Sequence, residues 1–172
     1  MASSLTAIPN FTVRPAKLAS SDFDLFVSFR DSQLSWLSTV GSGGQWGSQP
    51  IRNTDSSVSE RTSAWVTRSE ANSPWGPDWC RAFIAEVDST PVAGLVLDSK
   101  APAYVRDVVP EQDDADPFVY LAYLMTNRDA GEEKTKGSGA ALIRFARETV
   151  RELGVGRICL DCWRGNGRKL VQ

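Results

Sequence analysis

The stretch Lys134-Thr-Lys-Gly137-Ser-Gly139-Ala-Ala-Leu142 constrains this chain most, because it joins an apolar strand to the best helix in the sequence through two glycines at one-residue spacing. Gly137 and Gly139 permit backbone angles and close approaches that a side chain would block. The helix that follows offers unpaired amides and the positive end of its dipole, which together suit an anion. The same Gly-Ser-Gly pattern also serves as a plain loop and cap, so the loop alone does not decide between the two.

The flanking segments give the loop its context. Leu142, Phe145, Ala146, Thr149, Val150 and Leu153 recur at three- and four-residue intervals, with Arg144, Arg147, Glu148, Arg151 and Glu152 on the other side. This predicts an amphipathic helix that packs one face on a sheet. Gly154 and Gly156 end it, and Arg157–Trp163 reads as a strand. Upstream, Phe118–Thr126 reads as a strand that feeds the glycine loop. A strand-loop-helix-strand unit of this kind predicts a right-handed parallel crossover with a ligand at the strand ends.

The remaining elements predict an α/β fold. Phe11–Arg14 reads as a strand stopped by Pro15, Ala19–Leu37 as one or two helices, and Ser56–Arg68 as another. Arg81–Val87 and Val92–Leu97 form an antiparallel pair across Asp88-Ser-Thr-Pro91. Asp98–Asp116 is a polar connection, and Gly41-Ser-Gly-Gly44 a loop that leads into Gln45-Trp46-Gly47. At 172 residues the chain fits one domain.

Composition excludes several classes of chemistry. The chain has no histidine, which removes His-based triads and most catalytic zinc sites, and no metal site is expected. Cys159 and Cys162 have redox-pair spacing but sit in a strand-like context, so they and Cys80 read as buried or half-buried thiols. A net charge of −2 argues against a general nucleic-acid binder. The charge is uneven: Asp107, Glu111, Asp113, Asp114 and Asp116 cluster, whereas from Lys134 onward there are nine Lys/Arg and three Asp/Glu. An anionic ligand fits the later region. The Met1–Thr6 segment lacks the charge and apolar core of a signal peptide, and no stretch approaches a membrane span, so the expectation is a cytoplasmic protein with no membrane partner.

Motif comparison narrows the anion. A Walker loop needs Gly-Lys-Ser/Thr, which Lys134-Thr-Lys-Gly137-Ser does not supply. A dinucleotide fold places its longer glycine motif after the first strand, whereas here several strands come first.

The ordered combination resembles the GCN5-related N-acetyltransferase (GNAT) family, which transfers acetyl groups from acetyl-CoA to amines. The family's glycine loop corresponds to Lys134, Gly137 and Gly139, with Lys in place of the usual Gln or Arg. Leu124-Met125-Thr126 matches the end of the fourth strand. Leu160–Asn166 with Lys169–Val171 resembles the fifth strand and the start of the next helix, and Gln45-Trp46-Gly47 an acceptor-side element. The resemblance implies a mixed central sheet flanked by helices, in a single acetyltransferase domain over residues 1–172. It implies that main-chain groups near Leu124, Met125 and Thr126 hold the pantetheine arm. The amides of Lys136, Gly137, Ser138, Gly139, Ala140 and Ala141 would hold the pyrophosphate, with Lys134, Lys136 and Asn166 beside the cofactor; Asn166 also reads as a helix cap.

On the acceptor side, Trp36, Gln45, Trp46, Tyr120 and Tyr123 are candidates to line a pocket, as is Trp65, although aromatic residues also fill cores. Glu86, Asp116 and Asp161 are candidates to orient or deprotonate a small-molecule amine. The family's usual tyrosine acid and last two strands have no counterpart before Gln172. The sequence therefore predicts missing C-terminal strands and an open edge that favours strand exchange or a homodimer. The activity expected is acetyl-CoA-dependent N-acetylation, with a noncatalytic acyl-CoA-binding or protein-interaction module as the alternative.

Overall fold

The computed structural model describes residues 8–105, 107–163 and 165–168. In chain order the elements are β1 (Phe11–Pro15), α1 (Asp22–Asp31), α2 (Leu34–Thr39), α3 (Ile51–Thr54), α4 (Val58–Glu70), β2 (Cys80–Val87), β3 (Thr90–Asp98), β4 (Phe118–Thr126), α5 (Glu132–Thr135), α6 (Ser138–Glu152), β5 (Arg157–Cys159) and α7 (Gly165–Arg168). The strands form one mixed sheet in the order β1-β2-β3-β4-β5. Neighbours are antiparallel except β4 and β5, which run parallel.

The central strand is covered on both faces. Every residue from Val92 to Asp98 is buried, as expected when helices pack above and below a strand. Phe26 and Phe29 of α1 and Val66 of α4 pack against Ile84, Val96 and Tyr123 on one face. Leu142, Ala146 and Val150 of α6 pack with Val87, Leu95 and Leu97 on the other. Gly94 lets α1 approach closely: a Cβ there would stand 2.9 Å from the Phe26 ring, which is too short for any real contact. Trp65 also belongs to this layer, edge-on to Phe26 at 6.1 Å, and is therefore core rather than pocket lining.

Two ion clusters pin the helices. Arg14 on β1 donates to buried Asp22 at 2.6 and 3.1 Å and to Glu86 at 2.9 Å, and Arg68 on α4 grips buried Asp98 at 2.6 and 2.9 Å. Breaking either by removing the arginine would leave a buried carboxylate uncompensated.

The sheet departs from the sequence reading in two places that matter for the site. The expected Arg157–Trp163 strand ends at Cys159 and pairs only along Phe118–Tyr120. In β4 the register jumps so that Val96 faces Tyr123 and Leu97 faces Leu121, leaving Ala122 as a bulge. A bulge bends its strand and sharpens its twist. Pairing between β4 and β5 ends at Tyr120 and Cys159, just before this bulge, and residues 160–163 leave the sheet. The cysteine reading changes accordingly: Cys80 is buried and Cys159 half-buried, but Cys162 is exposed, and all three are free thiols. The turn between β2 and β3 is also tighter than expected, with Asp88 and Ser89 both at positive φ. The expected terminal helix residues Lys169–Val171, and the Met1–Thr6 segment, lie outside the described residues. Among the described residues no helix is long and apolar enough to cross a membrane, and no group of metal-ligating side chains comes together.

Candidate active-site cleft

Where β4 and β5 separate, a cleft of about 810 Å³ opens. Its lining brings together Leu124, Met125 and Thr126 at the end of β4, Gly139 at the start of α6, Trp36 of α2, Gln45 and Trp46 of the following loop, and Asp161 beyond β5. Those segments are far apart in the chain. A smaller apolar groove of about 410 Å³ adjoins it between α6 and β5, sharing Leu121, Ile143 and Leu160.

The floor of the cleft is a bare strand edge. From Leu121 to Thr126 β4 has no partner on the β5 side among the described residues, since their pairing ends at Tyr120 and Cys159. Such an edge presents unpaired amides and carbonyls to any extended polar ligand. One of these groups is already engaged: Gln33 Nε2 donates to the Thr126 carbonyl at 2.6 Å.

One end of the cleft is the start of α6. Gly137, at φ +83, turns the chain into the helix, where a side chain would be strained. Among the described residues no side chain caps this terminus, and no acidic residue occupies its first turn. The predicted ring of amides is narrower than the sequence suggested. Lys136 N–H donates to the Glu132 carbonyl and Ala141 N–H to Gly137, while the intervening helix-start amides have no intrahelical acceptor. The Ser138 hydroxyl is engaged, since it is buried and donates to the Thr135 carbonyl at 2.7 Å. Lys134 falls within α5 and donates to Thr90 Oγ1 at 3.0 Å, whereas Lys136 is exposed. Ala140 is exposed on the first turn. The backbone of Asn166 falls in α7, and its side chain lies outside the described residues.

The opposite end is aromatic and carries a carboxylate. Asp161 accepts a hydrogen bond from the buried Tyr120 hydroxyl, and Tyr104 stands 3.5 Å from the same oxygen. Burial, and then the Asp161 carboxylate, push the Tyr120 phenol well above its ordinary value, so it remains a donor. Tyr123 is held similarly by burial, with its hydroxyl on the Phe26 carbonyl at 2.6 Å. Neither hydroxyl is free. Trp163 closes the wall, one ring atom lying 3.9 Å from where a Cβ on Gly44 would stand. Gln45 Oε1 is buried with no hydrogen-bond partner among the described residues. The Trp46 ring carries the Arg30 guanidinium at 5.1 Å, and the Trp36 ring carries Arg128 at 3.7 Å.

Two carboxylates named from the sequence stand elsewhere. Glu86 is on β2, tied to Arg14, and Asp116 pairs with Arg157 at 3.1 Å; neither lines the cleft. Conversely, Gln33, Tyr104, Cys162 and Trp163 line it without having been picked out. Only the aromatic types at Tyr104 and Trp163 carried a usable signal, and nothing local marked their position.

No family model and no curated protein sequence matches the chain. Solved structures do. PaiA N-acetyltransferase from Thermoplasma acidophilum, in complex with coenzyme A, superimposes with a TM-score of 0.58 at 17% identity, over 94% of this chain and 84% of that one. A GCN5-related N-acetyltransferase from Ralstonia eutropha JMP134 gives 0.56 at 18% identity, over 94% and 88%. A predicted acetyltransferase from Clostridium acetobutylicum with acetyl-CoA gives 0.53 at 18%, over 94% and 85%. The fold is that of the acetyltransferase class, a mixed sheet splayed between its fourth and fifth strands. More particularly, it is the GCN5-related N-acetyltransferase fold.

Proposed function

We propose that the chain is an acetyl-CoA-dependent N-acetyltransferase for a small amine. The observation that carries this reading is the junction of an uncapped helix N-terminus and a bare β4 edge in one cleft that also holds a carboxylate.

The donors fit the cofactor. The amides from Gly137 to Ala140 present N–H groups and a positive dipole end to a pyrophosphate, with the exposed Lys136 ammonium nearby. A Cβ on Gly139 would meet only Thr126 Cγ2, at 3.9 Å, so the space between the α6 start and the β4 end is open. The polar edge at Leu124–Thr126 suits a pantetheine arm, whose amides need backbone partners. Acetyl-CoA, when bound, supplies the acetyl thioester that the amine attacks. The chain's own contribution is orientation: Trp46, Trp163 and Tyr104 form a wall beside the exposed Asp161, which offers an acceptor for a proton from the amine.

The test is calorimetric titration with acetyl-CoA, followed by acceptor-dependent CoA release with product mass across an amine panel. Tight binding with no transfer to any amine would favour a noncatalytic acyl-CoA-binding module. No binding would reject both readings.

A further inference from the structure

We propose that the acceptor is a primary amine with one positive charge on an apolar or aromatic body, its ammonium seated on Asp161. This rests on the acetyl-transfer reading above and names the substrate class of that same cleft.

Charge count carries the argument. Asp161 is the one charged side chain among the described residues that line the cleft. It forms no salt bridge with a described basic residue, and the Tyr120 hydroxyl fixes one of its oxygens. A single carboxylate neutralises a single ammonium. A further cationic group on the acceptor would find no carboxylate among the described lining residues, and it would meet positive charge already in place. Arg30 lies over Trp46 and Arg128 over Trp36, both outside the lining, so two of the aromatic walls each carry a guanidinium. An acceptor carboxylate would in turn be repelled by Asp161.

The walls specify the rest of the molecule. Trp36, Trp46, Trp163 and Tyr104 give flat apolar surfaces against which an aromatic or alkyl body packs. The cleft of about 810 Å³ takes the reactive end of the cofactor as well as the acceptor.

The probes are 2-phenylethylamine, its neutral analogue 2-phenylethanol, and the polycation spermidine. Binding is read by calorimetry, and turnover by CoA release at saturating acetyl-CoA. The expected result is that 2-phenylethylamine binds and is acetylated with a kcat/KM at least about tenfold above that of spermidine, while 2-phenylethanol binds more weakly. Loss of a charge-assisted hydrogen bond predicts that Asp161→Asn raises KM for 2-phenylethylamine about tenfold to a hundredfold. Its affinity for acetyl-CoA should not change. Equal or better use of spermidine, or an Asp161→Asn enzyme with unchanged KM, would overturn the substrate class and leave acetyl transfer standing. If acetyl-CoA binds but no amine turns over, absence of calorimetric 2-phenylethylamine binding overturns the proposal as well. A protein that binds no acetyl-CoA fails at the earlier reading, which separates the two.

Discussion

The side-chain amide of Gln33 donates to the main-chain carbonyl of Thr126 at 2.6 Å, tying the junction of α1 and α2 to the last residue of β4. The same amide nitrogen reaches the Phe29 carbonyl at 3.0 Å, and Gln33 Oε1 accepts from Arg128 Nε at 2.7 Å. Arg128 in turn lies on the Trp36 ring. One buried glutamine therefore links the strand edge proposed for the cofactor to the aromatic wall proposed for the acceptor.

Gln33→Leu removes this link without removing bulk. It leaves the Thr126 carbonyl and the Arg128 Nε without their partner, at a cost of about 1–3 kcal/mol. Gln33→Glu keeps an acceptor for Arg128 but turns a carboxylate oxygen toward the Thr126 carbonyl. Both variants should unfold at lower urea than the parent and bind acetyl-CoA more weakly. A variant with normal acetyl-CoA affinity and reduced stability would show that the link is structural only.

Gly139→Asp separates the helix-terminus reading from a folding effect because the two run in opposite directions. The added Cβ meets nothing closer than 3.9 Å, and replacing a helical glycine with an acidic residue in the first turn favours the helix by about 0.5–1 kcal/mol. The free protein should therefore be unchanged or slightly more stable by thermal unfolding. Acetyl-CoA affinity should fall by at least about tenfold, since a carboxylate now faces the pyrophosphate. Unchanged calorimetric affinity would remove the phosphate site from this terminus.

How far the sequence could be read follows from the range of the interactions involved. Phe118–Thr126 is legible to the residue as a strand, because it is a near-continuous apolar run bounded by Pro117 and Asn127. The α6 face is equally plain in the spacing of Leu142, Ala146 and Val150. The expected β5 is too long because its apolar pattern continues through Leu160 and Trp163, whereas its pairing stops at Tyr120, just before β4 bends at Ala122. No local pattern reports that bend. Glu86 looked available because its capture by Arg14 is a contact across 72 positions, and Gln33 was missed because its partner lies 93 positions away. Gly139, Gln45, Trp46 and Asp161 line one cleft.

The split sheet predicts uneven protection. β5 is held to β4 by three residue pairs, whereas β3 is paired on both sides and buried throughout. Amide hydrogen exchange should open β5 first, at a free energy well below that of β3 and the core-facing part of α6. Equal protection in β5 and β3 would contradict the description of β5 as a weakly held edge.

Alkaline pH tests the packing beneath α4. Cys80 is fully buried, with its thiol 3.7 Å from the Trp65 carbonyl. Burial, and then the Asp98 charge, push the thiol from its ordinary 9.0 up to about 12, against smaller opposing effects of Arg68 and Arg81. The sign follows from proton binding. Above pH 9 the unfolded chain loses the thiol proton while the folded chain keeps it, so unfolding becomes easier as pH rises, until the folded thiol also ionises near pH 12. The stability present below pH 9 is lost across that window, with a ceiling of about 4 kcal/mol from a three-unit shift. Tyr123, also raised by burial, adds a loss of the same sign at higher pH. Urea unfolding of the parent and of Cys80→Ala between pH 8 and 11 isolates the thiol. The Ala variant should start less stable, because it lacks buried sulfur, and should then decline less steeply above pH 9. Parallel pH profiles for the two proteins would mean that Cys80 ionises as easily folded as unfolded, and the tight seat between Trp65 and Asp98 would be wrong.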